Sequence, residues 1–154
     1  MPSVRPALSV LVLSVLTVLA APGCSDLRVK EGIYTNLDDA KASGAIQAGW
    51  VPEGLPASAA DFREGHLPDG RHWGVFTFAA RDADAVRALL ASEISSGPLT
   101  CNPPGRLEWW PRLLTTPIDP DRVKSTGFRL YMERVGQRTY AINWGQGRAY
   151  YWRG

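Results

Sequence analysis

The first 23 residues limit what the rest of the chain can form. A single positive charge, Arg5, precedes an uncharged run from Pro6 to Pro22. The fifteen residues between those two prolines would reach about 22 Å as a helix, which is shorter than the ~30 Å hydrocarbon core of a bilayer. A basic start, a short apolar stretch and small residues at its end are typical of an export signal. Removing residues 1–23 leaves 131 residues, enough for one domain that folds without disulfides or metals.

The segment before the first cysteine makes this interpretation more specific. Leu19–Cys24 resembles a bacterial lipobox. The resemblance implies that residues 1–23 are a lipoprotein signal peptide, cleaved before Cys24, and that Cys24 carries fatty acyl chains such as palmitate. Two or more acyl chains hold a protein stably on a membrane without a transmembrane helix. A soluble secreted protein and an uncleaved N-terminal anchor are the alternatives.

The chain has only two cysteines, Cys24 and Cys101, so the state of one limits the other. If Cys24 is acylated, Cys101 has no partner within the chain and should be a buried or reactive thiol. If Cys24 is unmodified, an oxidising compartment outside the cytoplasm permits a Cys24–Cys101 disulfide.

The mature chain is predicted to contain a short polar tether, residues 24–31, and a single α+β domain, residues 32–154. The predicted fold is one antiparallel sheet of about five strands with two helices packed on one face. Thr35 and Asn36 can cap the first helix, and Asp82 can cap the second. The predicted helices are Leu37–Ala42 and Asp82–Ser92, and the predicted strands are Asp61–His66, Arg71–Phe78, Thr126–Val135, Arg138–Trp144 and Arg148–Trp152.

Several segments together resemble a known family. They are Gly49–Ala59, Glu64 and His66, followed by Trp109–Pro111 and Tyr150–Trp152. In this order they resemble the YbbD head domain found in small bacterial envelope proteins. Where that family has an Asp-Thr-Asn turn, this chain has Asp69-Gly-Arg. The resemblance covers most of the predicted domain and implies its fold and an envelope location, but it implies no enzymatic mechanism.

Four side chains capable of binding a metal or carrying a proton lie within nine residues of one predicted hairpin: Glu64, His66, Asp69 and His72. Glu64 and His66 share a strand face because side chains alternate with period two. Two imidazoles and a carboxylate could bind zinc, or a His–Glu pair could act as an acid–base catalyst near neutral pH. The spacing matches no strong metal signature, and a Pro-Asp-Gly turn needs Asp69 in any case. The favoured interpretation is therefore a hydrogen-bonded pair that stabilises the hairpin, with no metal and no cofactor.

Two further features suggest binding surfaces. The first is Trp50, Pro52, Leu55 and Pro56, a Trp-Pro segment that could form a rigid recognition loop, although such segments more often pack. The second is the distribution of charge. Residues 24–105 have a net charge of −4, whereas residues 106–154 have a net charge of +5. Residues 106–154 also contain nine of the fifteen aromatic residues. Arginine beside tryptophan and tyrosine suits anionic lipid headgroups or an acidic envelope polymer. Nucleic acid is not an expected partner for an exported domain.

These features favour a bacterial cell-envelope protein, held on a membrane by its lipid and facing the periplasm or the exterior. The expected role is a non-catalytic module that binds an envelope protein or an anionic wall or lipid component. The alternative is a metal-assisted envelope hydrolase that uses Glu64, His66 and His72. It requires those three side chains to converge in a concave pocket.

Overall fold

A computed structural model describes residues 28–103 and 107–154. The predicted signal peptide, the predicted lipidation site Cys24 and half of the predicted tether, residues 24–27, lie outside these residues. The described chain forms one antiparallel sheet of seven strands in the spatial order β1-β2-β3-β7-β6-β5-β4. The strands are β1 (Lys30–Asn36), β2 (Ala60–His66), β3 (His72–Thr77), β4 (Leu90–Glu93), β5 (Arg129–Glu133), β6 (Thr139–Asn143) and β7 (Arg148–Arg153). The helices are α1 (Leu37–Ala42), α2 (Ala83–Ala88) and α3 (Pro120–Ser125), with 3-10 turns at Ala80–Asp82 and Arg112–Leu114.

The first helix has the predicted bounds and begins at a capping side chain. The Asn36 Oδ1 atom accepts a hydrogen bond from the Asp39 backbone N–H, at 3.0 Å, as an N-cap residue does. The strand before it, β1, was not predicted as a strand, and it begins at Lys30 inside the predicted tether. β1 is an edge strand whose only large aliphatic residue, Ile33, is 72% exposed. An edge strand of this kind lacks the apolar alternation that marks a half-buried strand.

The predicted second helix, Asp82–Ser92, is wrong in its second half. The chain forms α2 only to Ala88 and then enters β4 at Leu90. Asp82 precedes α2, but its side chain makes no capping hydrogen bond. β4 is a short edge strand in which only Leu90 is buried. A single apolar residue fits the apolar stripe of a helix as well as it fits a strand, so the sequence does not distinguish the two.

The predicted strand Thr126–Val135 is shortened at both ends, to Arg129–Glu133. It follows α3, a helix that was not predicted, although Asp119 caps it by accepting from the Asp121 and Arg122 backbone N–H groups. α3 has six residues and buries only Val123, too few for a helical period to be visible in the sequence.

Both faces of the sheet are covered, which corrects the predicted arrangement of five strands with two helices on one face. Residues 43–59, α1 and α2 cover the face that we call the Trp50 face. Residues 94–103 and 107–118, together with α3, cover the opposite face, which we call the Trp110 face. The Trp50 face carries Phe62, Phe76, Tyr140, Ile142 and Tyr151, and the Trp110 face carries Trp73, Leu130, Ala141 and Trp152.

Two-sided burial also explains an error in β5. In the sequence, Phe128, Leu130 and Met132 alternate with Arg129, Tyr131 and Glu133. This pattern of a half-buried strand predicts Met132 on the buried side and Glu133 on the solvent side. The Met132 side chain is instead 39% exposed at the edge of the Trp110 face. Glu133 lies under the covering segment on the Trp50 face, with its side chain only 9% exposed. Within the described residues no helix is long and apolar enough to cross a membrane.

Candidate functional site

The predicted polar residues of the β2–β3 hairpin do come together. Glu64 and His66 project from the Trp50 face of β2, and His72 lies directly opposite His66 in the register of the two strands. The turn between the strands closes with a Gly70 N–H donated to the Leu67 carbonyl at 3.1 Å. Asp69 stabilises this turn by accepting from the Arg71 backbone N–H, which is the turn role expected for it. The register therefore places both imidazoles on one face, a point that the sequence left open.

Both carboxylate oxygens of Glu64 have partners inside the protein. Oε2 lies 2.9 Å from Nδ1 of His66, and Oε1 accepts from the Tyr34 hydroxyl at 3.2 Å. The Glu64 side chain is only 1% exposed. Gly32 on β1 leaves room for it, because a Cβ atom there would lie 2.5 Å from Oε1. Glu64 is therefore a buried anchor for the neighbouring side chains rather than a carboxylate open to a ligand.

His72 is also fully engaged. Its Nδ1 donates to the Gly70 carbonyl at 2.9 Å, which leaves Nε2 to accept from Nε of Arg138 at 3.1 Å. The pKa of His72 is lowered to about 4, mainly by burial and also by the positive charges of Arg138 and Arg153, against the opposing effects of the Gly70 bond and of Glu133. His72 is consequently a neutral imidazole whose one acceptor nitrogen is already occupied.

Arg138 links three parts of the molecule. Besides His72, its guanidinium donates through Nη1 to Glu133, at 2.6 Å, and through Nη2 to the Gly49 carbonyl, at 2.8 Å. The Tyr140 hydroxyl completes the site by donating to the same Glu133 oxygen at 3.3 Å. We call Glu64, His66, His72, Glu133 and Arg138 the polar cluster.

The polar cluster fixes the Trp50 segment onto the sheet. The indole of Trp50 stacks on the His66 imidazole with ring centroids 4.1 Å apart and 3° between the planes. The Trp50 carbonyl accepts from the buried Tyr151 hydroxyl at 2.8 Å. Gly74 makes this possible, since a Cβ atom there would lie 2.1 Å from Cζ of Tyr151. The segment is thus held by the Arg138–Gly49 bond, the Tyr151–Trp50 bond and the ring stack.

The match to a known protein family covers the N-terminal part of the described domain. Residues 29–77 match the YbbD head domain. The match contains β1, α1, the Trp50 segment and the β2–β3 hairpin, and therefore Glu64, His66 and His72. It ends at Thr77, so the Trp109–Pro111 and Tyr150–Trp152 segments lie outside it. No curated protein and no solved structure shows a significant match to the chain.

The YbbD-like region contributes only part of the polar cluster. Glu133 and Arg138 lie beyond the match, on the C-terminal meander, and the sequence did not identify them as site residues. A signal exists: both flank the short β5–β6 turn, and a carboxylate and a guanidinium at such positions can pair across the hairpin. Their contact with Gly49 depends on long-range folding and has no local signal.

The predicted recognition loop of the YbbD-like region is partly buried. Pro52 is buried, Trp50 and Leu55 are half-buried against the core of the Trp50 face, and Pro56 is half-buried. The exposed part of this loop is Glu53, Gly54 and Ala57. Whether Trp50, Pro52, Leu55 and Pro56 recognise a partner stays a prediction.

A groove opens beside the Trp50 segment. It has a volume of about 500 Å³ and lies between the loop ending at Gly54, the end of α2 and the β5–β6 turn. A smaller groove of about 250 Å³ lies across the Arg138–Gly49 bridge, next to Trp50 and Arg153. Residues Ala48, Gly49, Glu133 and Arg138 line both grooves.

The described residues of the YbbD-like region and the meander contain no group of three His, Cys, Asp or Glu side chains arranged to hold a metal. Zinc requires imidazole nitrogens and carboxylate oxygens with free lone pairs. The contacts of Glu64 and His72 occupy the atoms that a metal would need. Cys101 offers no nucleophile either, since it is buried and burial raises the pKa of its thiol to about 12.

Proposed function

We propose that this protein is a lipid-anchored module of the bacterial cell envelope, facing the periplasm or the exterior, which binds a partner without transforming it chemically. Three observations support the proposal: the export-type N-terminus, the lipobox-like segment ending at Cys24, and the match of residues 29–77 to the YbbD head domain. The expected partner is an envelope protein or an anionic wall or lipid component.

The observation that carries the non-catalytic role is the internal use of Glu64 and His72, two of the three side chains that the hydrolase alternative requires. Glu64 is bonded through both oxygens and His72 through both nitrogens. A general base must reach the proton that it removes, within about 3 Å. These groups reach other parts of the same chain, so their role is to hold the Trp50 segment in one position. The hydrolase alternative would require those bonds to break.

The binding role rests on the groove beside that segment. Its walls are the fixed Gly49 backbone and the β5–β6 turn, so its shape is set before a partner arrives. Apolar side chains such as Leu89 line it together with the charged side chains of Glu53 and Arg134. A mixed lining of this kind is typical of a recognition site for a polar ligand or a peptide segment.

The anchor is tested by mass spectrometry of the mature protein purified from membranes. We expect a chain that begins at Cys24 and carries acyl groups, and incorporation of a labelled palmitate that Cys24→Ser abolishes. A mature chain without lipid, lighter by two hydrogens because of a Cys24–Cys101 disulfide, would refute the lipoprotein proposal.

The binding role is tested by photo-crosslinking in living cells. A crosslinking amino acid at Gln47, on the groove rim, should capture a defined partner, whereas one at the exposed Gln146 should not. Ala48→Arg should block the capture by filling the groove. Ala57→Arg, on an exposed position outside the groove, is the matched control and should leave it intact. Capture that is equal at Gln47 and Gln146, or unaffected by Ala48→Arg, would exclude the groove as the binding site.

A further inference from the structure

The two ends of the sheet carry opposite charge. Antiparallel register brings four segments to one end: the start of β1, the β2–β3 turn, the β5–β6 turn and the end of β7. We call this end, comprising residues 28–31, 66–72, 133–138 and 153–154, the tether end, because the N-terminal chain enters the domain there. It holds six basic and three acidic side chains. The opposite end, comprising residues 36–39, 60–61, 77–84 and 143–148, holds two basic and five acidic side chains.

Half of the basic side chains at the tether end are available to a partner. Arg138 pairs with Glu133, and Arg71 pairs with Asp69 at 2.8 Å. By contrast, Lys30, Arg134 and Arg153 are exposed and form no ion pair among the described residues, and Arg134 uses only its Nε, which donates to the Leu90 carbonyl at 3.2 Å. An excess of exposed cations at one end of a domain creates a field that attracts anionic surfaces.

The tether end also presents an apolar side chain to solvent. Val135 lies in the β5–β6 turn, between the exposed Arg134 and Gly136, and is 86% exposed. It is the most exposed large hydrophobic residue in the described part of the chain. An isolated apolar side chain on a basic rim suits the boundary between lipid headgroups and acyl chains.

The position of the anchor specifies which surface the tether end would meet. Lys30 lies six residues after Cys24. Six residues span at most about 20 Å when fully extended. A domain held on so short a tether keeps the end at which the chain enters close to the bilayer.

We propose that the tether end docks on the anionic headgroups of the membrane that holds the anchor, with Lys30, Arg134 and Arg153 on the headgroups and Val135 at the interface. This inference rests on the proposed lipid anchor and adds a fixed orientation, in which the acidic end points away from the membrane. Arg134 and Val135 also line the groove, so in this orientation one wall of the groove lies against the membrane. A lipid surface fits better than an anionic wall polymer because Val135 would find no apolar counterpart on a polymer of sugars and phosphates.

The test uses the mature lipidated protein in nanodiscs, with a fluorescent label at Val135→Cys or Gln146→Cys. These positions lie in the turns at opposite ends of β6, and the buried Cys101 should resist labelling. Lipids carrying a quencher report how close each label lies to the bilayer. In discs that contain phosphatidylglycerol, the label at Val135 should be quenched several-fold more than the label at Gln146. The difference should shrink in pure phosphatidylcholine and at about 1 M salt, where the Debye length falls to about 3 Å.

Charge reversal provides the control. Lys30→Glu, Arg134→Glu and Arg153→Glu combined should abolish the difference between the two labels. The same number of reversals away from the tether end, Lys41→Glu, Arg81→Glu and Arg148→Glu, should preserve it. Equal quenching of both labels, or quenching of Val135 that ignores lipid charge, would overturn the docking proposal.

The outcome also separates docking from anchoring. If the protein stays on the discs at high salt but the two labels become equally quenched, the protein is anchored by its lipid and was docked by charge. Protein that leaves the discs at high salt lacks the anchor, which refutes the proposed function whatever the labels report. A soluble anionic polysaccharide that shields the Val135 label, when phosphatidylglycerol has no effect, would assign the surface to a wall component and overturn the lipid proposal.

Discussion

The two faces of the sheet are covered by irregular segments of similar kind, but they hold those segments by different means. On the Trp50 face, hydrogen bonds from Arg138 and Tyr151 fix the backbone of Gly49 and Trp50. On the Trp110 face, a side-chain hydrogen bond from Trp152 Nε1 to the Thr100 carbonyl, at 2.9 Å, accompanies extensive aromatic packing. Trp110 meets Trp152 and Tyr150 edge-on, with centroids 5.9 and 5.6 Å apart.

The difference shows how one sheet can combine stability with a defined surface. Apolar packing is non-directional and tolerates small shifts of the covering chain. Hydrogen bonds to backbone carbonyls are directional, and a buried partner left unbonded costs more than the bond contributes. The polar face therefore sets where the Trp50 segment lies, and the groove lies on that side.

The largest effect is expected from Arg138→Met. This change leaves the Glu133 carboxylate, the Gly49 carbonyl and the His72 Nε2 atom without their shared donor. Removing one partner of a buried ion pair costs about 3–5 kcal/mol, which denaturant unfolding would measure. The matched control is Arg129→Met on β5, because its pair with Glu93, at 3.5 Å, is partly exposed and should contribute less than ~1 kcal/mol.

The comparison of faces predicts how that loss can be recovered. Arg138→Met combined with Glu133→Leu should regain much of the stability, because the stranded charge is removed with its partner. Leu130→Ala on the Trp110 face should cost a similar ~2–5 kcal/mol through the cavity that it leaves. If adding Glu133→Leu lowers stability further, the Trp50 face is held by packing like the other face.

A smaller effect is expected from acid, through His72. Burial is the main cause that depresses its pKa to about 4 in the folded protein, against 6.5 for an unperturbed histidine. The unfolded chain therefore binds a proton first as pH falls, so His72 destabilises the fold progressively between pH 6.5 and about 4. A shift of this size corresponds to about 3 kcal/mol.

Unfolding curves of the protein and of His72→Gln across that pH range would measure this contribution. Carboxylates also titrate there, so the relevant quantity is the difference between the two pH profiles. The variant should lose less stability on acidification. Parallel profiles would show that His72 is accessible to protons in the folded state and that the polar cluster is more open than its contacts indicate.

A still smaller effect belongs to the ring stack. Trp50 and His66 should show a coupling free energy of about 0.5–1.5 kcal/mol, the range measured for aromatic pairs. A double-mutant cycle with Trp50→Leu and His66→Leu isolates this pairwise contribution. The His66–Glu64 contact is lost both in the single His66→Leu variant and in the double variant, so its contribution cancels. A coupling near zero would mean that the backbone bonds alone hold the segment.

The sequence predicted the elements whose signals are local. Asn36 capped α1 as expected, and the β2–β3 hairpin formed around its Pro-Asp-Gly turn. The errors fall at the margins of the sheet, in β1 and β4, where edge strands expose most of their residues and lose the period-two pattern. The assumption of one buried face then gave too few strands and placed Glu133 in solvent.

The sequence pointed to Glu64, His66 and His72 but not to Glu133 and Arg138, the other two members of the polar cluster. The i, i+2 spacing of Glu64 and His66 implied a shared face, and the structure confirms it. The bond from Arg138 to Gly49 joins residues 89 positions apart, and such a contact depends on the relative placement of two hairpins. No local spacing encodes that placement, so the role of the cluster in fixing the Trp50 segment became visible only in the fold.

The smallest expected effect is the most direct test of the hydrolase alternative. Replacing His66 and His72 together by alanine should leave the metal content of the purified protein unchanged, because Nε2 of His72 and both oxygens of Glu64 are already bonded within the chain. Elemental analysis of protein purified with and without added zinc measures this. His66→Ala alone is the informative partner variant, since it leaves the His72–Arg138 bond in place. Stoichiometric zinc that disappears in both variants would establish a metal site and show that the internal bonds of the polar cluster yield to a ligand.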